Sequence, residues 1–274
     1  MNFITFSRKM GTNGSEIARR VADQLQYNFY DTEALDQAAR EMGVLQDVQQ
    51  IDEKVPSLID RIFSMKPTIY LDRLNSVIYK LASRGNAVFL GRGGHILLEG
   101  IKCALHVRVV ASPETRIQNL LKKNFQREEA IKAMEKSDRE REAFIKYAFG
   151  VDWDRPELYD IVLNMDHLTV DLGVDLVIRL VHSEAIKVCS INAGKALEMR
   201  SLAERIDAVL IEAKLVPSKA VSIFVSVLEP GKIRLTGYAA GEGNKRKVGE
   251  ALKRVSGIES IDDQMKVIDS KFSV

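Results

Sequence analysis

Cysteine is nearly missing from this chain: there are two in 274 residues, Cys103 and Cys189. With only four histidines and no Cys/His cluster, no zinc site is expected. Two thiols so far apart, one in a strand-like apolar stretch, read as buried and reduced rather than as a disulfide. Long hydrophobic runs are missing too. Nothing approaches the roughly eighteen apolar residues of a membrane span, and the start shows no apolar signal region, so a cytoplasmic protein without a transmembrane segment is expected. Neither sign of charge is in excess: 40 Lys and Arg against 38 Asp and Glu leave +2. A surface that tracks a nucleic-acid backbone needs a stronger basic bias, so nucleic acid is not expected as an obligatory partner. The remainder, 46% hydrophobic and 28% charged, suffices for an ordinary core and, at this length, for two domains.

The first apolar run, Phe3-Ile4-Thr5-Phe6, empties into Ser7-Arg8-Lys9-Met10-Gly11-Thr12-Asn13-Gly14-Ser15-Glu16 and then into the helical pattern beginning at Ile17. Strand, glycine-bearing loop and helix form a geometry that cradles phosphate. Glycines allow tight turns, and the free N–H groups and dipole of the first helical turn favour an anion. The loop lacks the lysine of the usual G-x-x-x-x-G-K-[ST] pattern. With the register set by Ile17-Ala18, Gly14 stands where that lysine belongs, and Ser15 or Glu16 where the magnesium-holding hydroxyl belongs. The same residues also suit an ordinary glycine-containing strand-to-helix turn.

Short β-branched runs alternate with helical periodicity through the next stretch. Asn28–Asp31, Ala87–Leu90, Ala104–Val110 and Ile161–Leu163 read as strands. Helices are expected from Thr32 to about Met42, along Leu71, Leu74, Val77, Ile78 and Leu81, from Pro113, and over Leu172–Leu180; Gln46–Pro67 is polar and expected to form covering helices. The alternation predicts an α/β fold with a parallel sheet covered on both faces and ligands at the carboxyl ends of its strands. Around Asn192-Ala193-Gly194 the periodicity lapses, suggesting domains over 1–189 and 197–274 joined by a linker at 190–196. The second region reads as a small α+β unit, αββαβ: a helix over Leu197–Leu215, strands over Ala220–Leu228 and Lys232–Ala239, a helix over Glu242–Val255 and a strand over Ile258–Val267. Its compact basic run, Lys245-Arg246-Lys247, reads as a solvated helix face.

Phosphoryl transfer asks a protein mainly for cations that converge on phosphate and for alignment, and arginine binds phosphate oxygens in pairs. Candidates stand on separate segments: Arg8 and Lys9 in the loop, Arg92 after a strand end, Arg116 in an early helical turn, and Arg139 and Arg141 in a charged helix. Asp31 is a candidate for orienting the acceptor and equally a helix N-cap. The charged run is also readable as a helix with internal ion pairs.

Ser7-Arg8 with Gly11 and Gly14 is followed in order by Phe29-Tyr30-Asp31 with Glu33, Gly91-Arg92-Gly93-Gly94, Arg116, Lys136-Ser137-Asp138-Arg139-Glu140-Arg141, and Tyr159-Asp160-Ile161-Val162-Leu163-Asn164. Together these segments resemble the cytidylate kinase-like family of P-loop nucleotide kinases, in the branch whose loop reads S-R-x-x-G-x-x-G without lysine. The resemblance runs from about Asn2 to about Ser183. It implies a P-loop kinase-like sheet, ATP and Mg2+ as cofactors, and phosphoryl transfer to a small acceptor such as CMP or dCMP. Ser7, Arg8, Lys9, Gly11, Thr12, Asn13, Gly14, Ser15, Glu16 and Arg116 would then bind the nucleotide, with Ser15 and Glu16 toward the metal. Arg8, Asp31, Arg92, Arg139 and Arg141 would serve catalysis, the last two from a mobile lid. The missing lysine keeps open a catalytically weak nucleotide-binding protein. Leu235-Thr236-Gly237 and Val255-Ser256-Gly257-Ile258 make residues 197 to 270 resemble a BON domain, which implies a protein or phospholipid partner.

Overall fold

The computed structural model describes residues 2–43, 67–184, 186, 191–216, 218 and 221–268. The helices are α1 (Gly14–Leu25), α2 (Thr32–Glu41), α3 (Pro67–Ser83), α4 (Gly94–Leu97), α5 (Pro113–Leu121), α6 (Arg127–Phe149), α7 (Val170–Val181), α8 (Ile191–Glu212) and α9 (Glu242–Leu252). The strands are β1 (Phe3–Arg8), β2 (Asn28–Tyr30), β3 (Ala87–Leu90), β4 (Ala104–Val110), β5 (Ile161–Asn164), β6 (Val221–Glu229), β7 (Lys232–Ala240), β8 (Ser260–Asp263) and β9 (Lys266–Ile268). Two compact units are present. The first contains β1–β5; the second joins α3 to α8 and the elements beyond it.

In the first unit β1 to β5 form one parallel sheet in the order β2-β3-β1-β4-β5. Because side chains alternate along a strand, Ile4 and Phe6 enter one layer and Phe3 and Thr5 the other. All four are buried, so both faces are covered, as the apolar strands require. On one face Ile17, Ala18, Val21 and Ala22 of α1 meet Val174, Val177 and Val181 of α7 over Val107 and Val109. On the other, Gly94 of α4 lies against Thr5 and Phe89. Ser112 caps α5 and Thr169 caps α7, each hydroxyl accepting from a backbone N–H at the third position along. This order sends β1 and β3, side by side, to the same rim, where their following loops meet.

In the second unit α3 and α8 run antiparallel, with Arg73 paired to Glu212 at 2.9 Å, Lys80 to Glu198 at 3.2 Å, and Ser201 Oγ donating to the Ser76 carbonyl at 2.8 Å. The apolar stripe Leu74, Val77, Ile78 and Leu81 is buried. β6 and β7 form an antiparallel hairpin, and β8 and β9 each add to β7 in parallel. Leu202, Ile206 and Leu210 of α8 share a core with Ile233, Leu235, Val248 and Leu252.

Several expectations change. The lapse at Asn192-Ala193-Gly194 does not end a helix: α8 begins at Ile191, because packing along α3 outweighs weak local propensity. The last strand is split into β8 and β9 by a break at Gln264-Met265, where Met265 enters the core. Cys103 is disulfide-bonded rather than reduced, since separation in sequence says nothing about separation in space; Cys189 lies outside the described residues. The helices expected over Gln46–Pro67 fall almost wholly outside the described residues.

Candidate nucleotide site

The loop after β1 turns through two tightly packed glycines. Gly11 has φ +83°, and a Cβ there would lie 2.7 Å from the Arg116 carbonyl oxygen; at Gly14 it would lie 2.8 Å from Arg8 Cβ and 2.9 Å from Val109 Cβ. Both glycines are therefore demanded by packing against α5 and β4, in addition to any ligand. Asn13 is left-handed at φ 59° and offers α1 no side-chain cap. Thr12 is fully buried; its hydroxyl donates to the Lys9 carbonyl at 2.8 Å and accepts from Gly14 N–H at 3.3 Å. Among the described residues, the Gly11, Asn13 and Ser15 N–H groups donate to no other group. These amides and the dipole of the twelve-residue helix α1 are the loop's remaining attraction for an anion.

Two adjoining clefts open on this rim. The larger, about 470 Å³, is lined by Arg8, Ser15, Glu16, Arg19, Phe29 and Asp31, with Thr32, Glu33 and Leu90. The smaller, about 110 Å³, brings together Arg8, Arg92 and Arg141 with Gly91, Gly93, His95 and Trp153. Arg8, Thr32 and Leu90 belong to both.

The cations of the smaller cavity are only partly compensated, although the Glu140 carboxylate belongs to the lining. Arg92, held at φ 55° between two glycines, has a side chain only 3% exposed, makes no hydrogen bond through Nε, Nη1 or Nη2, and lies 3.7 Å from Asp36 Oδ1. Arg141 Nη1 also lacks a hydrogen-bond partner and stands 3.9 Å from Asp138. Arg8 Nε donates to Ser15 Oγ at 3.2 Å. Burial, and then the neighbouring Arg141 cation, lower the Arg8 guanidinium to about 9, with Asp31 opposing. Arginine stays charged at neutral pH, so the depression expresses an electrostatic cost that a bound anion would relieve.

Of the other sequence-nominated residues, some line the clefts and some do not. Lys9 turns away to Asp154, 2.8 Å distant. Ser7 lines the smaller cavity but is buried, its hydroxyl oxygen accepting from Arg108 and Trp153, each at 2.7 Å. Arg116 points at the loop, donating to the Met10 carbonyl and to Asp138 Oδ2, both at 2.6 Å; it braces the loop from behind and lines neither cleft. Arg139 is exposed and also lines neither, whereas Arg141, two residues on, reaches the smaller cavity. Asp31 fills both of its proposed places: Oδ1 accepts from Ala34 N–H at 3.1 Å as an N-cap, Oδ2 lies 3.4 Å from Arg19, and the residue lines the larger cleft.

Sequence reading passed over Arg108, His95, Trp153 and Asp154, and took Tyr159 only as part of a motif without a role of its own. A usable signal existed for Arg108, a charge in the middle of a buried apolar strand. His95 is buried, its ring stacked on Tyr159 at 4.8 Å with Nε2 3.3 Å from the phenol oxygen. Burial first, then His106 and Arg108, lower it to about 3. An unfolded histidine takes its proton near pH 6.5, so between there and about pH 3 the unfolded chain binds more protons and stability falls as pH falls. By pH 3 the loss reaches at most about 5 kcal/mol from His95, with His106 lowered in the same direction by burial. His95→Gln is expected to flatten the decline in urea midpoint from pH 7 to pH 4 by close to one proton's worth; an unaltered slope would show that His95 is not its source.

A five-stranded parallel sheet in this order, with a glycine loop between β1 and α1 and arginines gathered at its rim, defines a kinase-like α/β protein. Residues 3–167 match the cytidylate kinase-like family, and the chain belongs to that family. That membership supports ATP-dependent phosphotransfer in general and implies use of a nucleotide, typically with Mg2+. An uncharacterized protein from Eubacterium ventriosum has a similar structure, with TM-score 0.53 and 21% identity over 66% of this chain and 97% of that one. Weaker likeness extends to shikimate kinase from Bacteroides thetaiotaomicron, with TM-score 0.40 and 12% identity over 66% and 99% of the two chains. Deoxyadenosine kinase from M. mycoides with bound dATP gives TM-score 0.38 and 16% identity over 67% and 100%. No curated protein matches the chain. Among the described residues no helix is long and apolar enough to cross a membrane.

Proposed function

We propose that the chain transfers the terminal phosphoryl group of ATP to a nucleoside monophosphate such as CMP or dCMP. The observation that carries this reading is the convergence of Arg8, Arg92 and Arg141, from three separate elements, on one small cavity in which Arg92 and Arg141 leave buried N–H donors unpaired. Buried guanidiniums whose N–H donors are not all hydrogen-bonded are costly even with a carboxylate 3.7 or 3.9 Å away, so such a cluster is suited to a phosphoryl group that arrives with its own negative charge. Arg8, shared by both clefts, stands in for the absent loop lysine. The larger cleft, with the Phe29 ring and the Asp31 and Glu33 carboxylates, offers an aromatic face and acceptors to the rest of the acceptor molecule.

The donor set suits Mg2+ as well. Ser15 and Glu16 are exposed on the first turn of α1 and line the larger cleft, and Mg2+ commonly takes one or two protein oxygens besides phosphate and water. They would hold the ion, which when bound neutralises charge on the triphosphate. The loop amides hold the donor, while Arg8 and Arg141 align and stabilise the group in transit.

Purified protein with ATP, Mg2+ and a panel of nucleoside monophosphates should produce ADP fastest with CMP or dCMP. Absence of ADP with every acceptor overturns the reading. A second reading, nucleotide binding with weak or no turnover, is favoured by one observation: Lys9, the nearer of the two loop cations to a lysine's usual role, is tied to Asp154 outside the clefts. Saturable ATP binding without ADP release would select it. We also read the unit around β6–β9 as BON-like and as the place where a protein or phospholipid partner attaches, and the chain as cytoplasmic, where ATP is supplied.

A further inference from the structure

Arg108 sits in the middle of β4 with its side chain 3% exposed. A guanidinium so placed destabilises the fold unless every arm is used. Nη1 donates to Ser7 Oγ at 2.7 Å and to Tyr159 Oη at 3.4 Å, Nη2 donates to Asp154, and the guanidinium carbon lies 3.8 Å from the centre of the Trp153 ring. Two of these partners have a second attachment to the same region. Ser7 Oγ also accepts from Trp153 Nε1 at 2.7 Å, and Asp154 Oδ2 also accepts from Lys9 Nζ at 2.8 Å. Ser7 and Lys9 are the two neighbours of Arg8 in the chain, and Trp153-Asp154 closely follow the end of α6, which carries Arg141. Arg108 itself lines neither cleft.

We infer that Arg108 is a positioning residue: its fork ties the Trp153-Asp154 strap to both neighbours of Arg8, and so keeps Arg8 and Arg141 facing one cavity. The inference rests on the proposed reading of that cavity as the phosphoryl site. Lysine cannot substitute, because a single ammonium cannot satisfy Ser7 and Asp154 while lying flat over an indole.

Trp153 is the only tryptophan in the chain, so its emission reports the strap directly. Arg108→Lys is expected to shift that emission to the red and to raise amide exchange at residues 7–14 about tenfold, with α7 unchanged. Displacing Arg8 and Arg141 from their common cavity should also weaken pyrophosphate binding about tenfold or more. Asp154→Asn, at a side chain 57% exposed, should act in the same direction with a smaller effect and add little on top of Arg108→Lys. If Arg108→Lys does not fold, Asp154→Asn decides by the same readings. Wild-type emission and wild-type loop exchange in the folded variants would overturn the inference. Failure of the wild-type chain to bind pyrophosphate would instead overturn the reading of the cavity, leaving emission and exchange to judge the positioning role.

Discussion

Arg8→Ala is expected to lower the rate of phosphoryl transfer by about a thousandfold or more and ATP affinity by about ten- to a hundredfold, while leaving the melting temperature unchanged or raised. The combination is unusual for a largely enclosed side chain and follows from its surroundings. Arg8 makes one side-chain hydrogen bond, to Ser15, and burial with Arg141 nearby disfavours its cation. Removing it from the unliganded chain relieves like-charge crowding and costs little packing. Removing it from the liganded chain deletes the cation common to both clefts. Isothermal titration with ATP and a thermal melt of the same preparation test both halves. An unchanged dissociation constant takes Arg8 out of the site, and a large fall in melting temperature makes it a structural residue. Arg8→Lys should recover part of the affinity, since charge returns but the paired donors do not.

That prediction was largely legible in the sequence, because Ser7-Arg8 precedes two glycines at a strand-to-helix junction and such a junction belongs on the carboxyl rim of a parallel sheet. Arg92 was legible for the same reason, following β3. The helical run around Asp138 was not resolvable into roles. Arg139 and Arg141 are two residues apart, hence about 200° apart around a helix of 3.6 residues per turn, so only one can face the rim. Sequence alone does not say which, and the fold selects Arg141. Arg116 is a different case. Its place near a helix start made it look like an anion ligand, yet a guanidinium can meet a loop carbonyl and a carboxylate from a distant helix equally well. Those partners come from Met10 and Asp138, which no local pattern connects to it. Within the second unit the helix starting at Ile191 was hidden because the information lies on α3, not in its own residues.

The same contacts make Asp138 the counter-ion on which the loop depends, and Asp138→Ala is the other change with a large expected effect. One carboxylate accepts from Met10 N–H at 3.2 Å and from Arg116 at 2.6 Å, and its other near neighbour is Arg141 at 3.9 Å. Arg116, with its side chain 7% exposed, would retain its bond to the Met10 carbonyl but lose the one ion pair it makes among the described residues. Leaving one buried charge of a pair uncompensated typically costs about 3–5 kcal/mol, corresponding to a fall of roughly 10 °C in melting temperature for a unit of this size. Orphaned guanidinium groups also attract substitutes. Pyrophosphate should therefore raise the melting temperature of Asp138→Ala by more than it raises that of the wild-type chain, because part of its binding replaces the lost carboxylate. Joint replacement, Arg116→Met with Asp138→Leu, should restore much of the stability, since the penalty belongs to the unpaired charge rather than to the missing bond. If Asp138→Ala melts like the wild type, the carboxylate is a surface charge and the loop is held by its glycine packing, by Thr12 and by the Arg116 and Asn119 side chains on the Met10 and Gly11 carbonyls.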